Sequence, residues 1–307
     1  MRLSLDDWAA SAMPAELATW LDDYTRSLRR RGRSAKTIAL YRRTYVEFWR
    51  WALDAGVAPD PAAVTTGTIN SWVDALREQV APTTVAIRWR NLRPFFSWWA
   101  REVDAPNPFT RADVPGVPRT LVPVIPLDDI RKLLAACAGR TFEDRRDTAV
   151  ILVLVDTGVR LGELVGLTVD DWERRSDLLF VSGKTGPRAV PLSAGTGEAL
   201  ARYTRERAKH PQAALPNLWL GRKGAWGESG PAQMLARRCA QAGISRLHPH
   251  QFRHTWAHLA KAAGLSEGDL QHLAGWRSPI MVQRYGSSAA AERAQSAYRR
   301  LAIGDQL

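Results

Sequence analysis

The segment His248–Tyr285 reads HPHQFRHTWAHLAKAAGLSEGDLQHLAGWRSPIMVQRY and holds five of the chain's six histidines. Pro249 suits the first turn of a helix, where its missing N–H is not needed. His250 and Arg253 then lie three apart on one helix face, near a terminus that favours anions. The segment closes on Ala274-Gly275-Trp276, and Tyr285 follows nine residues after the tryptophan. An imidazole, a guanidinium, an indole N–H and a phenol are together able to hold and attack a phosphate; whether they do depends on the rest of the chain. The alternative for so many histidines is a metal. His254 and His258 are four apart on the helix, yet no HExxH pattern is present and no nearby cysteine or carboxylate completes a ligand set. No metal site is expected.

The 307 residues suffice for two domains, each with its own core. A net charge of +12 points to a polyanionic partner, either nucleic acid or an anionic membrane surface. No apolar run approaches the length of a membrane span, and the N-terminus lacks the apolar stretch of a secretory signal. Two cysteines, Cys137 and Cys239, give no disulfide framework and fit a reducing compartment.

Outward from the segment, the chain divides by composition. Residues 14–103 carry helical periodicity. Helices are expected over Pro14–Leu28, after a Ser34 N-cap with Ile38, Tyr41, Tyr45, Phe48 and Trp49 inward, after a Thr68 cap, and after Pro82 with the stripe Val85, Trp89, Leu92, Phe96, Trp99. Pro94 is expected to kink or restart the last of these. Between Arg26 and Arg50 lie nine basic residues and one acid, Glu47. Arg42 and Arg43 on one helix and Arg88, Arg90 and Arg93 on another sit off the apolar stripes and are candidate phosphate contacts. A solvated basic face is the plainer reading of either helix alone; two such helices favour DNA. Asp104–Pro126 carries six prolines in 23 residues and reads as a semi-extended linker. The expected division is a helical domain over residues 1–105, a linker over 106–126 and a second domain over 127–307.

In the second domain Asp128 or Asp129 is expected to cap a helix, and Asp147–Val155 to form a buried one. The strands Leu178–Val181 and Ala189–Leu192 flank a glycine-bounded turn that carries Lys184. A helix is read over Gln233–Ala242 and another over Ala289–Leu301. Arg160 follows the buried helix in TGVRLGEL, with Glu163 three residues on. Each basic residue alone is ordinary. Lys184 at a hairpin tip is most simply solvated, and Trp276 is one of 13 tryptophans.

Their order is what carries information: an arginine, a hairpin lysine, His-x-x-Arg, Gly-Trp, then a tyrosine at a fixed interval. In this the chain resembles the tyrosine recombinases, the phage integrase family, over most of its second domain. That family's pattern is Arg, Lys, His-x-x-Arg, His or Trp, Tyr. Gly275-Trp276 stands where the family commonly has Gly-His, and Ala274 where leucine is common. The resemblance implies a mostly α, two-domain fold: a helical SAM-like core-binding domain and a mixed α/β catalytic domain with a small β-sheet, forming a C-shaped clamp on duplex DNA. It implies that Tyr285 attacks the scissile phosphate to give a 3′-phosphotyrosyl link. Arg160 and Arg253 would clamp the phosphate, Lys184 would protonate the leaving 5′-oxygen and His250 would assist proton transfer. Trp276 would donate or pack, and Glu163 would hold the site together. Arg188, near Lys184, is expected to share its DNA contacts. The link conserves phosphodiester energy, so no cofactor is implied.

The partners implied are double-stranded DNA, four protomers on two DNA sites, and a phage or host DNA-bending factor. The implied setting is the bacterial cytoplasm, on a mobile element or in a resolvase role. No room is expected for a further N-terminal DNA-binding arm. A type IB topoisomerase is the rival within the enzymes. A non-catalytic DNA-binding regulator is the rival outside them, and it leaves the residue order unexplained.

Overall fold

The computed structural model describes residues 4–117, 123–183, 185–278 and 298–299. The chain separates into two compact units, residues 1–120 and 121–307.

The first unit is helical. It comprises α1 (Leu5–Ser11), α2 (Ala15–Arg30), α3 (Ala35–Asp54), α4 (Thr66–Arg77) and α5 (Pro82–Glu102). Helix α1 was not anticipated; Ser4 caps it by accepting the Asp7 N–H. Ser34 caps α3 as its sequence predicts, accepting from Thr37. The cap of α4 is Thr65 rather than Thr68: the two threonines form a reciprocal box, each hydroxyl accepting the other's N–H. Helix α5 runs as one element through Pro94. The aromatic stripes meet as expected, with Phe48 edge-on to Trp72 at 5.3 Å and to Phe96 at 5.7 Å. Part of the proline-rich stretch packs on this unit: Phe109 is buried, and Pro108 accepts from the Thr66 hydroxyl.

The second unit is built around α7 (Phe142–Thr157), whose residues Ala149, Val150, Ile151, Val153 and Leu154 are fully buried. Its start lies upstream of the apolar run read from the sequence, because Thr141 and Asp144 form a capping box. Helices α9 (Ala194–Arg207) and α11 (Pro249–Ala262) pack on it. Helix α6 (Leu127–Ala135) begins after Pro126, so Asp128 and Asp129 are first-turn acids rather than caps. The remaining helices are α8 (Leu161–Gly166), α10 (Ser229–Ala242) and α12 (Glu267–Ala274). Strands β1 (Trp172–Glu173), β2 (Leu178–Gly183) and β3 (Gly186–Pro191) form an antiparallel sheet in that order, and β4 (Leu220–Gly221) pairs with β5 (Gly224–Ala225). Ile125 belongs to this unit's core, its N–H donating to Thr255 Oγ1 at 2.9 Å. Lys184, Tyr285 and most of the helix read over Ala289–Leu301 lie outside the described residues.

One polar knot ties α7 to α10. Asp147 is fully buried and accepts from Arg146 at 2.7 Å, Arg237 at 2.7 Å and Arg238 at 2.8 Å. Arg238 also donates to Asp144 and to the Ala136 carbonyl. Removing the carboxylate leaves buried guanidinium charge without its partner. Asp147→Ala is therefore expected to cost about 3–5 kcal/mol, read as a large drop in the melting temperature of the second unit.

Candidate active site

Helix α7 ends at Gly158, a left-handed residue with φ +58°. A Cβ there would lie 2.5 Å from the Trp256 ring, so only glycine brings the chain this close to α11. Two residues later Arg160 occupies the N-cap position of α8. Glu163, one turn into α8, accepts the Arg160 backbone N–H at 2.9 Å and its Nη1 at 2.7 Å. The same carboxylate takes a two-pronged hydrogen bond from Arg188 of β3, Nη1 to Oε1 and Nη2 to Oε2, both at 2.9 Å. Burial pushes the Glu163 carboxyl up, but the hydrogen bonds from Arg188 and Arg160 outweigh it and bring it down to about 2.

The C-terminus of α12 supplies the other half. Gly275, at φ +62°, turns the chain, and the Trp276 N–H reaches back to the Gln271 carbonyl. The carbonyls left over at this helix end are taken by three arginines in succession. Arg188 Nε donates to Leu273 O at 2.7 Å, Arg253 Nη2 to Ala274 O at 2.6 Å and Arg160 Nη2 to Gly275 O at 2.9 Å. Arg253 also donates Nη1 to Gly158 O at 2.7 Å, which closes the ring between the ends of α7 and α12. Its guanidinium lies 5.1 Å from the centre of the Trp276 ring. Trp276 is buried with Trp256, Ala257, Leu270 and Ala274.

Arg160, Glu163, Arg188, Arg253 and Trp276 are thus drawn to one place from α8, β3, α11 and the end of α12. The Arg160 side chain remains one-third exposed, whereas Arg253 is 2 % exposed. Arg160 Nη1 also reaches Thr185 Oγ1 at 3.3 Å, next in sequence to Lys184. His250 is exposed in the first turn of α11, with its ring edge-on to His254 at 5.1 Å. A cleft of about 430 Å³ opens beside the cluster between Thr185–Arg188 and the α12 end, where His272, Trp276 and Arg277 line it. Among the described residues no group of three or more histidines, cysteines or acids is arranged to hold a metal.

From the sequence alone Thr185 is not singled out and Arg188 reads as a DNA contact. Thr185 has no recognisable signal. Arg188 has one: it pairs with the buried Val181 across the hairpin and lies two residues before the buried Val190, which puts it on the core-facing side. Its side chain is 5 % exposed, so its guanidinium is turned inward and not out with the hairpin tip, where a DNA contact was expected.

The candidate DNA-contact arginines of the first unit are more varied. Arg42 donates to Thr25 at 2.8 Å and Asp22 at 3.2 Å. Arg43 and Arg88 both pair with Glu47 at 3.1 Å. Arg90 and Arg93 are exposed, with Arg90 Nε on the Ala86 carbonyl and Arg93 5.6 Å from the Trp89 ring centre. Arg43, Arg90 and Arg93 present the most accessible charge.

The pattern described as the Phage integrase family matches residues 123–292, and that of the phage integrase N-terminal SAM-like domain matches residues 21–103. The chain belongs to the phage integrase family. It is 30% identical over 236 residues to the tyrosine recombinase XerC of Chromohalobacter salexigens, covering 75% of this chain and 78% of that one. Among solved folds it is similar to the integrase of the transposon Tn1549 in complex with transposon right end DNA (TM-score 0.73, 21% identity, 92% of this chain and 99% of that one). It is also similar to a lambda integrase tetramer bound to a Holliday junction (TM-score 0.68, 20% identity, 88% of this chain and 76% of that one). The mostly helical, two-part fold expected from the sequence is the fold of this family.

The depressed Glu163 carboxyl has a consequence for stability. Its folded value lies below its ordinary 4.5, so the stabilisation is complete above about pH 4.5 and is lost as pH falls toward 2. The difference in melting temperature between wild type and Glu163→Gln is expected to be largest at neutral pH and to shrink steadily below pH 4.5.

Proposed function

We propose that Tyr285 is the nucleophile with which this site-specific DNA recombinase cuts and rejoins its target, working against a phosphate held by Arg160 and Arg253. The observation that supports this reading most directly is the capture of the three α12 carbonyls by Arg188, Arg253 and Arg160. It fixes both phosphate-binding arginines to the end of the helix from which the chain runs on to Tyr285.

The chemistry follows from the groups present. The phenol oxygen forms a bond to the scissile phosphorus as the bond to the 5′-oxygen breaks, leaving a 3′-phosphotyrosyl link and a free 5′-hydroxyl. Arg160 Nη1 is engaged by Glu163 and Thr185, and Nη2 by Gly275. Among the described residues nothing else engages its Nε or the second Nη2 hydrogen, and these are the donors left for phosphate oxygens. Charge builds on those oxygens as the fifth bond forms, and fixed guanidinium donors stabilise it without rearranging. A phenol with pKa near 10 needs its proton removed as it attacks. His250, exposed in the first turn of α11, takes up that proton, and Lys184 delivers a proton to the leaving 5′-oxygen. Trp276 cannot move a proton. It packs against Arg253 and keeps that guanidinium in a low-dielectric setting, where its charge acts more strongly.

The proposed division is a core-binding domain over residues 1–105, a connecting stretch over 106–126 whose Phe109 packs on the first unit and Ile125 on the second, and a catalytic domain over 127–307; the basic α3 and α5 belong to the first. Arg43, Arg90 and Arg93 there meet the DNA backbone. Double-stranded DNA is the substrate. The lambda integrase structure with a Holliday junction contains four subunits, and we infer the same number here, on two DNA sites. A DNA-bending accessory factor and a cytoplasmic setting on a mobile element complete the reading. No described helix is long and apolar enough to cross a membrane.

The test begins with a binding site selected from randomised duplex DNA by the Tyr285→Phe protein. A nicked duplex carrying that site is then offered to wild type. Wild type is expected to accumulate covalent protein–DNA complex, and Tyr285→Phe to bind the same duplex and accumulate none. Covalent complex at wild-type level in Tyr285→Phe, or none in wild type, contradicts the assignment. Arg160→Ala is expected to lower the single-turnover cleavage rate by on the order of 10²–10³-fold, the loss typical of an anion-stabilising donor.

A further inference from the structure

We propose that Arg188 is a positioning residue for DNA cleavage, acting through Glu163 on Arg160 and through the Leu273 carbonyl on the end of α12, without touching DNA itself. The proposal rests on the assignment of Arg160 to the scissile phosphate.

Arg188 spends one edge of its guanidinium on each neighbour. The two-nitrogen prong meets both oxygens of Glu163, and Nε turns to Leu273 O. Glu163 in turn holds Arg160 twice, by backbone N–H and by Nη1. Two hydrogen bonds therefore separate Arg188 from the guanidinium that meets the phosphate. A second path leads from Leu273 along the same helix end to Gly275, whose carbonyl holds Arg160 Nη2.

The surroundings are shaped for this pair. A Cβ on Gly183 would sit 2.8 Å from Glu163 Oε1, and a Cβ on Gly275 would sit 3.0 Å from Arg188 Nη1. Glycine on both sides leaves the pair its room. The charges are balanced as well. Glu163 stands between two guanidiniums, so neither faces the other across a low-dielectric gap without a counter-charge. Lysine cannot replace this arrangement. An ammonium is a point charge and cannot span both carboxylate oxygens and a carbonyl on the opposite edge.

The position also explains why a hairpin residue matters to the phosphate. Arg188 leaves β3 four residues after Lys184, and the same hairpin's Thr185 touches Arg160. Arg188 thus ties strand β3 to the end of α12.

Arg188→Ala and Arg188→Lys are compared with wild type on the selected nicked duplex. Arg188→Ala is expected to bind DNA with unchanged dependence of affinity on salt, and to cleave on the order of 10²-fold more slowly at saturating DNA, as misplacement of a positioned group predicts. Arg188→Lys is expected to recover only a few-fold of that deficit. The deficit of Arg188→Ala is also expected to grow on acidification from pH 8 to about pH 5.5. Without Arg188 the buried Glu163 protonates more readily and releases Arg160.

A wild-type cleavage rate at saturation, full recovery in Arg188→Lys, or a log–log salt slope reduced by about one, the mark of a lost phosphate contact, overturns the proposal. If Arg188→Ala does not fold, Arg188→Lys carries the same rate and salt criteria. A wild type that forms no covalent complex brings down the Arg160 assignment together with this one. A wild type that forms it, alongside an equally fast Arg188→Ala, brings down this one alone.

Discussion

Three consecutive carbonyls at the end of one short helix organise the catalytic unit. A helix terminus leaves its last carbonyls without intrahelical donors, and burial makes that costly unless something else donates. Here Leu273, Ala274 and Gly275 each accept from a different arginine, and the three arginines come from β3, α11 and the start of α8. A local requirement of α12 thereby gathers elements that are distant in sequence. The same bonds fix the aim of two guanidiniums. Other features follow from that gathering: Gly158 lets α7 approach Trp256, Gly275 turns the chain with room for Arg188, and Glu163 balances charge between two arginines.

Among the described residues the cluster sets one carboxylate, Glu163, against three guanidiniums, Arg160, Arg188 and Arg253. Glu163 stays ionised because Arg188 and Arg160 hold it, despite a side chain that is 2 % exposed. On the proposed reading this positive charge receives the phosphate, and hydrogen bonds to Glu163 and the α12 carbonyls hold it in place. Fixed charge of this kind needs no reorganisation as the transition state forms. The buried Asp147 knot uses the same materials for another end. There three arginines converge on one acid at the far end of α7, and the arrangement fastens α10 to α7.

Much of this could be read from the chain. The interval from Gly275-Trp276 to Tyr285, the His250-x-x-Arg253 spacing and the glycine-bounded Lys184 turn are local patterns, and they name a family. The apolar stripes are legible for α2 to α5, whose Leu17, Trp49, Trp72, Trp89 and Phe96 are buried, and not for α1, which buries none of its residues. What stayed hidden was long-range. A threonine three residues from another threonine can cap from either position, so Thr65 and Thr68 were not distinguishable without backbone dihedrals. Pro94 is read from the sequence as kinking or restarting its helix; α5 is not restarted there and runs through it, with Phe95, Phe96, Trp98 and Trp99 buried beside it. Arg188 looked like a surface charge because it neighbours Lys184. Only the strand register, which sets it opposite Val181, turns it inward.

The central claim is that the gathered arginines serve a phosphate joined to Tyr285. The most direct measurement is mass spectrometry of the covalent complex after nuclease and trypsin digestion. A nucleotide-phosphate adduct carried on Tyr285 in the peptide spanning residues 285–293 is the expected result. An adduct on any other residue, or a link through a 5′-phosphate, contradicts the account.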